Sequence, residues 1–133
     1  PKKFYHTFGD RNDIEDVRKG KETIFGNAQF NIAIENTQHR GYFTEKLLDC
    51  FLLKSIPIYW GCCNVEDYFN TEGIIQFTSV DDLIFKVNNL TEDFYESKRD
   101  IIEANYNKAL SYVDYEQNIV NSITNIFKLN KLI

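Results

Sequence analysis

The chain has no methionine, two prolines, one tryptophan, two histidines and three cysteines in 133 residues. Each scarcity removes a class of protein. Three cysteines cannot close a disulfide framework, and Cys62 and Cys63 are adjacent, where a mutual bridge would be strained. The pair also lacks a second ligand cluster at the spacing a zinc site needs, so reduced thiols in a cytosolic setting are expected. No apolar run is long enough to span a bilayer, and nothing resembles a signal peptide. Because even Pro1 is not methionine, the chain reads as a segment of a larger protein, from which a targeting signal could have been lost. Basic residues are in the minority, 15 Lys and Arg against 20 Asp and Glu, for a net charge of −5. That field disfavours nonspecific nucleic acid binding but is compatible with a local basic pocket.

Several chemical signatures are missing as well. There is no Gly-x-Gly-x-x-Gly and no P-loop Gly-Lys-Ser/Thr, which removes the dinucleotide and NTPase readings. Without a strict Asp-x-Asp, the simplest carboxylate pair for Mg²⁺ or Mn²⁺ on a diphosphate is absent. No serine or cysteine sits in a nucleophile elbow. Asn89-Leu90-Thr91 fits a glycosylation sequon, a triplet common by chance.

What is present describes one folded domain. Apolar residues make up 43% and charged residues 26%, and 11 Phe with 8 Tyr predict a ring-rich core. A chain of this length buries about two-thirds of its unfolded surface. Residues 1–28 read as a short extended piece near Phe4–Phe8, then loop with one helical turn. "QFNIAIE" (29–35) alternates at Phe30, Ile32 and Ile34, the period of a strand with those three facing the core. From Thr44, an N-cap, the period becomes helical through Leu47, Leu48, Phe51 and Leu52. "IPIYW" (56–60), entered through Pro57 and stopped by Gly61, is a second strand, and "GIIQF" (73–77) a third. A short helix is expected over 64–70. Ser79 or Asp81 caps a helix burying Leu83, Ile84, Val87 and Leu90. Thr91 opens another, burying Phe94, Ile101, Ile102, Ala109 and Leu110. A last amphipathic helix spans 114–129 through Ile119, Ile123, Ile126 and Phe127. Strand, loop, helix, strand, turn, strand and then helices is the order of half an α/β doubly wound protein.

In such sheets ligands bind beyond the carboxyl ends of strands, where loops enter helix N-termini. The loop 36–43 leaves the first strand and runs into the Thr44 helix, so the site is expected there. First-turn amides and the helix dipole favour an anion, Lys46 adds a full charge, and Gly41 permits close backbone approach. Tyr42 or Phe43 could stack on a flat ring, and Glu45 could accept paired hydrogen bonds from a sugar diol. The same residues also fit plain capping, with the acid at Glu45 favoured by the dipole; Lys46 runs against that preference. Arg40 could contact a phosphate or an acceptor. His39, Glu66-Asp67 and Asp81-Asp82 read as solvated or capping residues, and Asn36 as a turn former.

"FNIAIENTQHRGYFTEKLLDCFLLKSIPIYWGCCNVEDYF", residues 30–69, resembles the signature of the α1,3/α1,4-fucosyltransferase family, glycosyltransferase family 10. The shared elements are Glu35-Asn36, Tyr42-Phe43-Thr44-Glu45-Lys46, Pro57-Ile58-Tyr59-Trp60-Gly61 and Asn64. The resemblance implies a Rossmann-like parallel-sheet domain with a helical tail, the C-terminal half of a GT-B glycosyltransferase. Residues 1–133 would then be a single GDP-fucose-binding domain, with the N-terminal acceptor domain absent from this chain. It implies an inverting fucosyl transfer to a glycan hydroxyl without cofactor or required metal. Glu45 would bind the ribose, Lys46 the diphosphate, and Asn36 and Tyr42 the rest of the donor; Glu35 is left between structural and donor-contacting. The catalytic base would lie in the missing domain, where the acceptor binds. Location follows source: cytoplasmic or membrane-associated if bacterial or viral, Golgi if eukaryotic, with the thiols favouring the former and any anchor outside the chain. Cys62-Cys63 depart from the family's small residue and proline, Phe43 from its β-branched residue, and His39-Arg40 alter the loop. A transferase of the same fold with another nucleotide sugar, or a non-catalytic nucleotide-sugar or glycan-binding module, are the alternatives.

Overall fold

A computed structural model describes residues 28–113, 123–126 and 128. Its centre is a three-stranded parallel sheet in the order β1 (Phe30–Ile34), β2 (Ile56–Trp60), β3 (Ile75–Gln76). Phe30 pairs with Ile56 and Ile34 with Trp60, while Ile58 pairs with Ile75. Parallel pairing demands a crossover, and helix α1 (Glu45–Leu52) supplies it between β1 and β2. Two 3₁₀ turns, Val65–Asp67 and Thr71–Gly73, lead from β2 to β3. Three helices follow: α2 (Val80–Asn88), α3 (Glu92–Ser97) and α4 (Arg99–Val113). No helix among the described residues is long and apolar enough to cross a membrane.

Side chains alternate across the sheet and build one core on each face. Ala33 and Tyr59 join Leu47, Cys50 and Phe51 of α1, Val65, Phe69 and Ala109 on one side. Phe30, Ile56 and Ile58 join Phe77, Tyr95 and Ile102 on the other. The aromatic content concentrates in the first core, where Phe43 sits edge-on to Tyr68, Phe69 and Tyr112 at centroid distances of 5.1, 5.4 and 5.3 Å. Such edge contacts suit the ring quadrupole. Phe43 is thereby a packing residue.

The strand at 29–35 forms, but its buried face differs from the one the alternation predicts. Phe30 is buried, yet Ile32 and Ile34 are 45% and 48% exposed, whereas Asn31, Ala33 and Glu35 are buried. Helix α1 packs on the Asn31–Ala33–Glu35 face, and the opposite core reaches only the Phe30 end of β1. Asn31 tolerates burial because its amide donates to Ser55 Oγ at 2.9 Å. On α2, Ser79 is the cap and Leu83 and Val87 pack inward, but Ile84 is exposed. The helix expected to run on from Thr91 breaks at Lys98, whose amide closes on Glu96 and Tyr95. Phe94 and Leu110 are consequently exposed, while Ile102 and Ala109 are buried. In the C-terminal segment Ile123 and Ile126 are helical and exposed; Ile119, Phe127 and the Phe4–Phe8 segment lie outside the described residues.

Candidate functional site at the carboxyl end of β1

The site is assembled where β1 gives way to the loop 36–43 and that loop enters α1. Glu35 follows the last strand residue, its amide still bonded to Trp60 O at 2.9 Å, so its side chain is directed into the α1 face of the sheet. There its two carboxylate oxygens accept from Thr44 N at 2.8 Å and Thr44 Oγ1 at 2.7 Å. The buried Tyr59 hydroxyl lies beside this carboxylate and accepts from Cys62 N at 2.9 Å. Burial pushes the Tyr59 phenol well above its usual range, with the Glu35 charge adding to the effect, so it stays protonated and able to donate. Gly61 completes the packing: a Cβ there would collide with Glu35 Cγ and the Tyr59 ring and hydroxyl.

Thr44 then starts α1. Its Oγ1 accepts from Lys46 N at 3.3 Å, and its carbonyl accepts from Leu47 N at 3.2 Å and Leu48 N at 3.3 Å. These bonds satisfy first-turn amides internally. An anion at this end would accordingly be met by the Lys46 ammonium more than by a row of open amides. Lys46 Nζ stands 4.0 Å from Glu35 Oε2 and 3.7 Å from Glu45 Oε1. Of these three side chains Glu35 has no exposed surface, Lys46 is 37% exposed and Glu45 64%. A buried carboxylate therefore holds the ammonium from behind while a mobile-length, exposed one flanks it.

Of the sequence-derived candidates, the fold brings Glu35, Glu45 and Lys46 into one cluster. Asn36 is exposed in the bend just after β1, and Tyr42 is half-buried, its amide closing a turn on His39 O at 3.3 Å. Arg40 is directed elsewhere, 3.8 Å from Asp67. Two participants have no role assigned from the sequence: Tyr59, noted only as a position of the shared strand motif, and Asp67, which reads as a solvated acid. Cys50, Cys62 and Cys63 are thiols, not disulfides. Among the described residues no group of three or more His, Cys, Asp and Glu converges as metal ligands would.

A parallel sheet with a capped, lysine-bearing helix start at the carboxyl end of its first strand defines the class: a Rossmann-like α/β domain. Residues 5–100 match the C-terminal domain of glycosyltransferase family 10 (fucosyltransferase), and the chain belongs to that family. It is 38% identical over 65 residues to the α-(1,3)-fucosyltransferase FucT of Helicobacter pylori, covering 49% of this chain and 14% of that protein. A putative fucosyltransferase (R654) of Acanthamoeba polyphaga mimivirus is 31% identical over 108 residues, covering 78% of this chain and 18% of the relative. Among solved structures, an α1,3-fucosyltransferase with GDP-fucose superposes with a TM-score of 0.54 at 26% identity, over 79% of this chain and 36% of that one. The same kind of enzyme with GDP gives 0.50 at 26% identity, over 67% and 32%. The fold is thus that of the GT-B fucosyltransferases, of which this chain spans about a third.

Proposed function

We propose that this chain is the donor-binding domain of a fucosyltransferase, taking GDP-fucose at the β1–α1 junction. The observation that carries the reading is the Lys46 ammonium, solvent-accessible at the helix start and backed by the buried Glu35 carboxylate, inside the segment that matches the family. In this reading Lys46 meets the diphosphate and Glu45 turns from Lys46 to the ribose hydroxyls. Asn36 and Tyr42 line the pocket around the remainder of the donor, and Arg40 is free to swing from its exposed contact with Asp67. Transfer proceeds with inversion and without a metal, through an oxocarbenium-like state in which GDP gains negative charge. A fixed ammonium stabilises that charge as it develops. In this reading the acceptor glycan and the general base that deprotonates its hydroxyl belong to a second domain of the enzyme.

Titration of the isotopically labelled chain with GDP, GDP-fucose, GDP-mannose and UDP-sugars tests the reading. Guanine nucleotides are expected to shift resonances of residues 36–46, and Lys46→Ala to weaken GDP binding by about 10–100-fold, the range of a charge-assisted hydrogen bond. Preference for a UDP-sugar would replace fucose by another donor. If no nucleotide perturbs residues 36–46, the donor site lies elsewhere and the assignment fails.

A further inference from the structure

Asn64 stands at the N-cap position of the 3₁₀ turn Val65–Asp67 yet its side chain makes no capping bond there. Instead it reaches 23 residues back along the chain, where its Oδ1 accepts from Gly41 N at 2.7 Å. The same side chain is buried and fully engaged: the Cys62 thiol donates to Oδ1 at 3.4 Å, and Nδ2 donates to Asp67 Oδ2 at 2.7 Å. Gly41 has φ +70, the left-handed region, and a Cβ on it would lie 3.1 Å from the Tyr68 hydroxyl. The peptide after Arg40 is therefore tethered through its backbone by Asn64, while the Arg40 side chain faces Asp67 at 3.8 Å. On the other side of Tyr42, Phe43 is locked into the ring cluster with Tyr68, Phe69 and Tyr112.

We propose that Asn64 is a positioning residue for the donor site: by clamping Gly41 it fixes the loop that carries Asn36 and Tyr42 in the shape the nucleotide sugar meets. Tyr42 is then held between a clamped glycine and a packed phenylalanine, so its ring is presented with little rearrangement on binding. The proposal rests on the donor-site reading above. A local cap could have been made with the same side chain at less distance, and the long-range bond is what distinguishes this asparagine from an ordinary turn residue.

The test uses the full 133-residue chain, isotopically labelled, with hydrogen exchange of the Gly41 amide and GDP affinity read in parallel. With six glycines in the sequence that amide is readily assigned. Asn64→Ala is expected to speed Gly41 exchange and to weaken GDP binding about tenfold, the scale of one buried hydrogen bond, while the α1 resonances keep their positions. Asn64→Asp alone sets a carboxylate against Asp67 and weakens GDP binding similarly. Adding Asp67→Asn returns a donor to the pair and is expected to restore affinity to within about threefold. This reciprocal swap decides the matter even where Asn64→Ala does not fold. Wild-type GDP affinity in Asn64→Ala, or a double variant as weak as Asn64→Asp, overturns the clamp. A wild-type chain that binds no GDP overturns the donor-site reading and the clamp's role in it together, an outcome distinct from loss confined to the variants.

Discussion

Glu35 is the residue whose chemistry most constrains the site, because its carboxylate has no exposed surface, accepts from both Thr44 N and Thr44 Oγ1, and has the Lys46 ammonium at 4.0 Å. So enclosed, it holds Thr44 in place and sets a negative charge 4.0 Å behind Lys46. Glutamine at this position preserves the volume but turns an amide N–H₂ toward a Thr44 donor. Glu35→Gln is therefore expected to lower stability by about 1–3 kcal/mol, the cost of an unmatched buried polar pair, as a shift in the urea midpoint. Tyr59 adds a pH dependence whose sign follows from its environment. Its folded-state pKa is raised above the ordinary 10.0, chiefly by burial, then by the neighbouring Glu35 against the opposing Cys62 amide bond. The stability it contributes is present in full below about pH 10, where the unfolded phenol is also protonated, and is lost as pH climbs from there toward the folded-state value. Denaturant midpoints measured from neutral to alkaline pH should fall above about pH 10. In Tyr59→Phe that alkaline fall should shrink, from a lower starting stability because Cys62 N loses its acceptor.

At the scale of the element, the start of α1 and the end of β2 are one construction. Thr44 caps the helix and donates to Glu35 with the same hydroxyl, so Thr44→Val is expected to cost about 1–2 kcal/mol, the upper range of a lost cap. Gly61→Ala forces a Cβ into Glu35 and Tyr59, neither of which has room to retreat. Overpacking of that kind costs about 1–3 kcal/mol, measurable as a lowered midpoint with unchanged secondary structure by circular dichroism. Elements whose signals are local were legible in the sequence. The run Ile56–Trp60 has β-branched and aromatic residues bounded by turn formers, and α1 has a cap followed by a clean helical period. β1 was legible as a strand but not as to its face, since Ile32 and Ile34 outrank Asn31 and Glu35 on any hydrophobic scale. Only the Asn31–Ser55 and Glu35–Thr44 bonds, formed after the chain has crossed over, make the polar face the buried one. The break at Lys98 has no glycine or proline to announce it. In the site, Glu45 and Lys46 were visible as chemistry at a helix start, whereas Asn64 was visible only as a motif position and not by its bond to Gly41, because a partner 23 residues away leaves no periodic trace.

Taken whole, the molecule combines a net charge of −5 with a single cationic group at the centre of its candidate site. In the proposed reading GDP, itself an anion, meets an unfavourable long-range field that the local arrangement at Lys46 must overcome. The proposed reading separates donor binding from catalysis. Among the described residues, the two carboxylates within 4.0 Å of Lys46 are Glu35, enclosed and accepting from Thr44 N and Oγ1, and Glu45, paired with the ammonium at 3.7 Å. Neither is placed to take a proton from an acceptor hydroxyl, which requires a base within hydrogen-bond reach of it. Among the described residues Ile32, Ile34, Val80, Ile84 and Phe85 are exposed, and the chain spans 14% to 18% of the relatives compared with it. Incubation of the chain with GDP-fucose and a range of glycan acceptors is accordingly expected to show donor binding by calorimetry and no fucosylated product by mass spectrometry. Product that scales with protein and disappears in Lys46→Ala would mean that these residues hold a base of their own, and would break the division of labour between donor site and acceptor domain.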